Sequence, residues 1–299
     1  METVMTDLDL LAPLQSLSRA LVGVVAGASP AVVSVGSHRS RSSGFIWRPG
    51  LVVTADDALA DEGEIAVDLS NGDTVPARVV GRDPTTDVAL LRVDRTDLAS
   101  ARLASPELVI GAAAVVVGAD GALPTTAFGV VSAVGGPWRS MRGGTIDARL
   151  ELAVPLVGRA EGGLALDAAG EAFGMVVFGP RRRVLVIPAS TIERVAALLE
   201  RHGRIARGYL GLGLRPVAVE GGNGAGAMVI SVDPKGPGAH AGIHQGDVIV
   251  AWNGEPFREM RALLSALGPD SVGRAITIDV RRAGEVRKIS LTIGERPAN

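Results

Sequence analysis

Apolar and polar positions change their period twice along the chain. From Leu8 to Ala28 the apolar residues Leu10, Leu14, Leu17, Leu21, Val24 and Val25 fall at helical spacing, which predicts an amphipathic helix that packs on a domain edge or joins copies of the chain. From Ala31 the period shortens. Runs at 31–35, 43–47, 51–54, 64–69, 75–80 and 88–93 alternate with Gly, Pro and Asp, and a second set follows at 113–117, 128–134, 150–154, 171–177 and 184–187. Two similar sets of short strands predict two packed β-barrels. Ser70-Asn71-Gly72-Asp73 is a hairpin signal between two of them. Helical spacing returns after Pro188, with Ser190 or Thr191 as the expected cap, Ile192, Val195, Leu198 and Leu199 as the buried face, and Gly203 as the stop. A third strand-rich region occupies 207–297, with one helix expected from Arg258 to Leu267.

Composition narrows the classes. Hydrophobic residues make up 47% of the 299 positions and charged ones 21%, enough for a sizeable core and against disorder. The net charge of −2 with interspersed signs gives no nucleic-acid footprint. Arg181-Arg182-Arg183, the one basic run, reads as a solvated hairpin tip. There is no cysteine, so disulfides, thiolate zinc sites and a thiol nucleophile are excluded. The first residues are acidic and carry no cleavage signal, and the apolar run from Ala20 to Val35 is short and holds Pro30. A cytoplasmic protein with no membrane span is the expectation.

Three motifs carry chemistry. Val157-Gly158-Arg159-Ala160-Glu161-Gly162-Gly163 joins two apolar runs through a glycine-rich loop. Asp83-Pro84-Thr85-Thr86-Asp87-Val88-Ala89-Leu90-Leu91 precedes a strand. Pro237-Gly238-Ala239-His240-Ala241-Gly242-Ile243-His244-Gln245-Gly246-Asp247-Val248-Ile249 follows one. Together, from about Ser29 to Pro297, the chain resembles the HtrA-type trypsin-like serine proteases, in which a double β-barrel protease domain is followed by a PDZ domain. The resemblance implies a mostly β fold with an N-terminal helical segment (1–28), a protease-like domain (29–203) and a PDZ domain (207–297).

The same resemblance locates the catalytic triad. Val53-Thr54-Ala55-Asp56-Asp57-Ala58 sets Asp57 at the histidine position, Asp87 keeps the aspartate, and Glu161 stands at the serine; Arg159 replaces the oxyanion-loop glycine. Serine-protease chemistry needs a hydroxyl or thiol, a near-neutral base and an orienting carboxylate. A catalytically inert scaffold, adaptor or chaperone is therefore the expectation, with an active endopeptidase or other hydrolase using an unrecognised site as the alternative. His38, His202, His240 and His244 read as surface residues, and Ser132 as part of a structural strand. If the fold is kept, Asp57, Asp87 and Glu161 converge, and such a cluster must protonate or recruit a cation. Arg159 is the expected neutraliser, with calcium as the alternative; no resident metal or cofactor is expected.

In the third region, Tyr209-Leu210-Gly211-Leu212 matches the family's carboxylate-binding loop, and Leu212-Gly213-Leu214 is expected to offer a free strand edge. Leu263 and Leu267 are the expected contacts for the last side chain of a bound peptide, although those leucines also suit a core. The partners implied are C-terminal or extended apolar peptides, an active homologous protease, and further copies of the chain as a trimer.

Overall fold

The computed structural model describes residues 7–38, 40–60, 63–156, 158–219 and 224–297. Val157 of the glycine-rich loop and residues 220–223 lie outside these. Contacts divide the chain into two units, 1–204 and 205–299.

The first unit opens with α1 (Asp7–Ala28), a helix of 22 residues. Its apolar side chains are poorly covered: Leu11, Leu14, Leu17 and Val22 are exposed, while Leu21, Val24 and Val25 are half-buried. The stretch Leu11–Ala31 has a mean hydropathy of 1.3 over 21 residues, long and apolar enough to cross a membrane. The expectation of no membrane span rested on a run counted only from Ala20, and the helix starts well before it.

Twelve strands then close two barrels of the same topology. In the first, β1 (Val32–Ser37), β2 (Ser40–Arg48), β3 (Leu51–Thr54), β4 (Ile65–Asp68), β5 (Thr74–Asp83) and β6 (Val88–Val93) close in the order β1-β2-β3-β6-β5-β4. In the second region come β7 (Ala113–Asp120), β8 (Leu123–Gly135), a small hairpin of β9 (Trp138–Arg139) and β10 (Thr145–Ile146), then β11 (Arg149–Ala153), β12 (Leu164–Leu166), β13 (Ala172–Phe178) and β14 (Val184–Pro188). The second barrel runs β11-β14-β13-β12-β7-β8, with β9 and β10 paired outside it. Closure leaves few edges, and each barrel fills with apolar, mostly aliphatic side chains: Val35, Ile46, Val52, Val67 and Leu91 in the first, Val116, Val131, Phe173, Val176 and Val186 in the second.

Helix α2 (Ala189–His202) packs Ile192, Val195, Ala196 and Leu199 inward and ends at Gly203, whose left-handed φ of 69° lets its N–H reach Leu199 O. Its start differs from the expectation. Pro188 holds the cap position without a side-chain cap, and Thr191 Oγ1 instead accepts the Asp147 N–H at 2.9 Å.

The second unit is a sheet with two short helices. Strands β15 (Gly208–Tyr209), β16 (Leu212–Ala218), β17 (Ala225–Val232), β18 (Val248–Trp252), β19 (Glu255–Pro256), β20 (Ala275–Arg282), β21 (Glu285–Thr292) and β22 (Gly294–Glu295) are joined by α3 (Pro237–His240) and α4 (Met260–Ala266). The main order is β16-β17-β18-β20-β21, so β16 lies at an edge, while β15 pairs with β22. Its core gathers Leu210, Val229, Ile243, Ile249, Phe257, Leu263, Ile278 and Val280.

Candidate functional site

The site of the barrel unit is built from loops that both barrels contribute. After β3 the chain turns through Asp56 and Asp57. After β5, Asp83 organises the next turn, its carboxylate accepting Thr85 Oγ1 at 2.6 Å, Thr86 Oγ1 at 2.7 Å and the Thr85 N–H at 3.2 Å. That turn delivers Asp87 with a left-handed φ of 58°, a conformation that costs free energy for a residue other than glycine and marks a constrained position. Asp87 Oδ1 accepts the Asp57 N–H at 2.8 Å, and Asp87 O accepts the Asp56 N–H at 3.4 Å. The two loops are thus locked backbone to side chain.

Glu161 arrives from the second barrel on a tight 3₁₀ turn, Gly158–Ala160. Ser43 on β2 pins this loop: its Oγ donates to Arg159 O at 2.6 Å and accepts the Ala119 N–H at 2.9 Å, while its N–H donates to Glu161 O at 2.8 Å. Gly162, at φ +86°, sits so close that a Cβ would lie 2.1 Å from Ser43 O, so only glycine fits. The Glu161 N–H donates to Gly158 O at 3.1 Å, inside the loop rather than into the cleft. The Glu161 carboxylate accepts the Phe178 N–H at 3.1 Å, and the Arg182 guanidinium lies 5.0 Å over the Phe178 ring.

Electrostatically the three acids form one cluster. Burial pushes the Asp87 carboxyl up to about 7, with the neighbouring charges of Asp57, Glu161 and Asp56 adding to the rise against the Asp57 N–H bond. Burial also raises Glu161, opposed by the Phe178 N–H and by Arg182. Asp56 rises for the same first reason, although Arg82 Nε donates to it at 2.5 Å.

The counter-ion differs from the expected one. Arg159 turns away from the acids and pairs with Asp120. Arg142 takes its place: Nη1 donates to Asp57 Oδ1 at 2.5 Å and to Pro84 O at 3.1 Å. It sits in the turn of the β9–β10 hairpin, where Ser140 Oγ donates to Thr85 O at 2.6 Å. A Cβ on Gly144 would lie 2.4 Å from the same carbonyl, so the hairpin docks tightly on the Asp83–Asp87 turn. Among the described residues no group of three or more His, Asp or Glu side chains is arranged to hold a metal ion.

In the second unit the 209–212 loop is clamped to the turn that follows β17. Tyr209 Oη donates to Asp233 Oδ2 at 2.8 Å, the Asp233 N–H donates to Gly211 O at 2.8 Å, and the Gly238 N–H donates to Leu210 O at 2.7 Å. Gly211, at φ +72°, lets the backbone turn there. Leu212 and Leu214 are half-buried along β16. Of the expected helix contacts, Leu263 is buried in the core and Leu267 packs at its margin, whereas Leu264 on α4 is exposed.

The trypsin-like peptidase domain profile matches residues 42–175, and the PDZ domain profile matches 208–293. Two relatives carry the name "Probable periplasmic serine endoprotease DegP-like": one from Pseudomonas fluorescens, 31% identical over 274 residues, and one from Rhizobium meliloti, 30% identical over 277. Each alignment spans 87% of this chain, but only 57% and 54% of the relative, so the chain spans a little over half their length. Among solved structures, the serine endoprotease from Yersinia pestis is similar at 27% identity and a TM-score of 0.71, covering 93% of this chain and 98% of that one. The HtrA-type protease AlgW with a decapeptide shares the fold at 24% identity and 0.71, covering 93% and 99%.

These findings correct two expectations. The relatives are named serine endoproteases, which overturns the reading as a non-enzyme. That reading judged the side chains against the serine mechanism and kept a hydrolase using the carboxylates as acid and base only as the alternative. The relatives are also named periplasmic, which, with the membrane-length helix α1, overturns the cytoplasmic expectation.

Proposed function

For a chain built on the HtrA-type plan, a trypsin-like serine-protease domain with a PDZ domain, we propose hydrolysis of polypeptides in the cell envelope. The PDZ unit captures an apolar tail along β16, and the barrel unit cuts at the Asp57, Asp87 and Glu161 centre. The observation that carries this reading is Asp87, a carboxyl held near pH 7 beside the Arg142-paired Asp57. A carboxyl that still holds a proton near neutral pH, with a second carboxylate beside it, suits general acid–base catalysis.

In this reading Asp57 takes a proton from the attacking water as its oxygen bonds to the scissile carbonyl carbon. Asp87 gives its proton to the departing amine as the C–N bond breaks. One water is added across one amide, and the carboxyls exchange a proton before the next turnover. Burial keeps Asp87 protonated, and the charges of Asp57 and Glu161 add to it. The periplasmic names of the relatives and the apolar length of α1 support the envelope location.

Casein degradation between pH 4 and 8, with and without a fluorophosphonate, tests the reaction. The expected result is cleavage that the fluorophosphonate does not block and that Asp87→Asn abolishes. Cleavage blocked together with labelling of one serine assigns the reaction to that serine instead. No cleavage at any pH overturns the proposal.

A further inference from the structure

We infer that Pro216 sets the length of tail that the PDZ edge reads, so that the ligand is about the last four residues of a free carboxyl terminus rather than a longer extended segment. The inference rests on the peptide-capture reading of β16.

The backbone of β16 fixes which of its groups face the open edge. Val229, opposite Leu214, donates its N–H to Asp247 O at 2.8 Å and accepts the Gly246 N–H at 2.9 Å. Both of its backbone groups therefore face away from β16, and the Leu214–Val229 pair exchanges no ladder bonds. In an antiparallel ladder hydrogen-bonded and non-bonded pairs alternate, so the N–H and C=O of Leu214 point to the open edge. Pro216, two residues on, points the same way; Leu212 lies across a bulge, since the pairing skips Ile230 between Gly213 and Leu214, so its direction follows from Gly211. Gly211 agrees with this phase, since its carbonyl accepts the Asp233 N–H on the inner side.

Of these three edge residues, Leu212 and Leu214 each offer a donor and an acceptor. Pro216 has no N–H and offers only its carbonyl. A tail added antiparallel, with its carboxylate at the 210–212 turn, sets its last residue near Leu212 and the second before it opposite Leu214. The fourth before it falls opposite Pro216, where its carbonyl finds no donor. β16 ends at Ala218, one pair further on, so little ladder remains beyond the gap. Elsewhere in a sheet a proline would break the ladder; here it leaves the fold intact and removes one bond from an incoming strand.

The test uses the full chain and a library of random octapeptides with free carboxyl ends. The tightest binder and its truncations to six, five, four and three residues are then titrated calorimetrically. The expected result is a steep loss of affinity below four residues and less than a threefold gain from four to eight. In Pro216→Ala the five- and six-residue peptides are expected to gain about tenfold over the four-residue one, the worth of one ladder hydrogen bond. Affinity in the unaltered chain that keeps rising through eight residues overturns the inference and leaves peptide capture standing. A library that yields no carboxyl-dependent binder overturns both. If Pro216→Ala does not fold, the truncation series of the unaltered chain decides alone.

Discussion

The two units treat a buried acid in opposite ways. In the PDZ unit Asp247 is 1% exposed at its side chain, and Arg282 grips both of its oxygens at 2.7 Å while the His244 N–H adds a third bond at 2.8 Å. Burial works to raise its pKa, but the Arg282 hydrogen bonds, the His244 N–H and the charge of Arg282 outweigh it and hold the carboxyl below its ordinary value. In the barrel unit, among the described residues, Asp87 receives only a backbone N–H and faces other carboxylates, and burial lifts it to about 7. A fully paired acid is locked in one charge state and serves the fold. An acid left without a cation of its own keeps a proton to give, which is what acid–base chemistry asks of it.

The largest effect should come from breaking the paired acid. Arg282→Leu strands a buried charge and is expected to cost the PDZ unit about 3–5 kcal/mol, seen as faster amide exchange in residues 205–299 with the barrel unit unchanged. Equal loosening of both units would sink the contrast.

Next in size is the pH response of the barrel unit. Because the folded-state pKa of Asp87 lies above its unfolded value, its contribution to stability is complete below about pH 4 and is lost as pH rises to about 7. The loss is as much as about 4 kcal/mol by the free-energy equivalent of a pKa shift. Asp87→Asn should flatten this slope in urea titrations between pH 4 and 7.5. Asp247 has the reverse sign, so the PDZ unit should weaken only in acid, as pH falls through the lowered folded value.

The smallest stability effect belongs to Arg142→Gln. The Arg142–Asp57 pair is about half exposed on both sides, so its loss should cost under about 1 kcal/mol. The same change should nonetheless move the titration of Asp87, followed by carboxyl ¹³C resonances, further upward. No movement would mean that the hairpin does not set the charge of the centre.

Much of this was legible along the chain. Short apolar runs broken by Gly, Asn and Asp gave the barrels, because strand period and turn chemistry are local; the PDZ unit was legible only through the resemblance of the run from Pro237 to Ile249 to the family's motif. The convergence of Asp57, Asp87 and Glu161 was also within reach, but only because the resemblance sets each at a triad position of the family. Arg142 was not, because it stands 85 residues from the acid that it meets and reaches it only through a hairpin of two-residue strands. Arg159 misled for the opposite reason: nearness in sequence to Glu161 said nothing of direction, and the 3₁₀ turn sends its side chain to Asp120. The helical spacing of α1 was visible from Leu8 onward, but its membrane-spanning length was not, because the polar residues between the leucines break the apolar run before Ala20.

The docking of Ser140 and Gly144 on Thr85 joins a hairpin of the second barrel to a turn of the first. Asp57 and Asp87 hang from one barrel, while the guanidinium that tempers them is carried by the other. Any ligand that wedges the barrels apart withdraws that positive charge but also lets water reach Asp87, and burial is the larger influence on that carboxyl, so the cleft gives up hydrogen ions as it opens and takes them back as it closes.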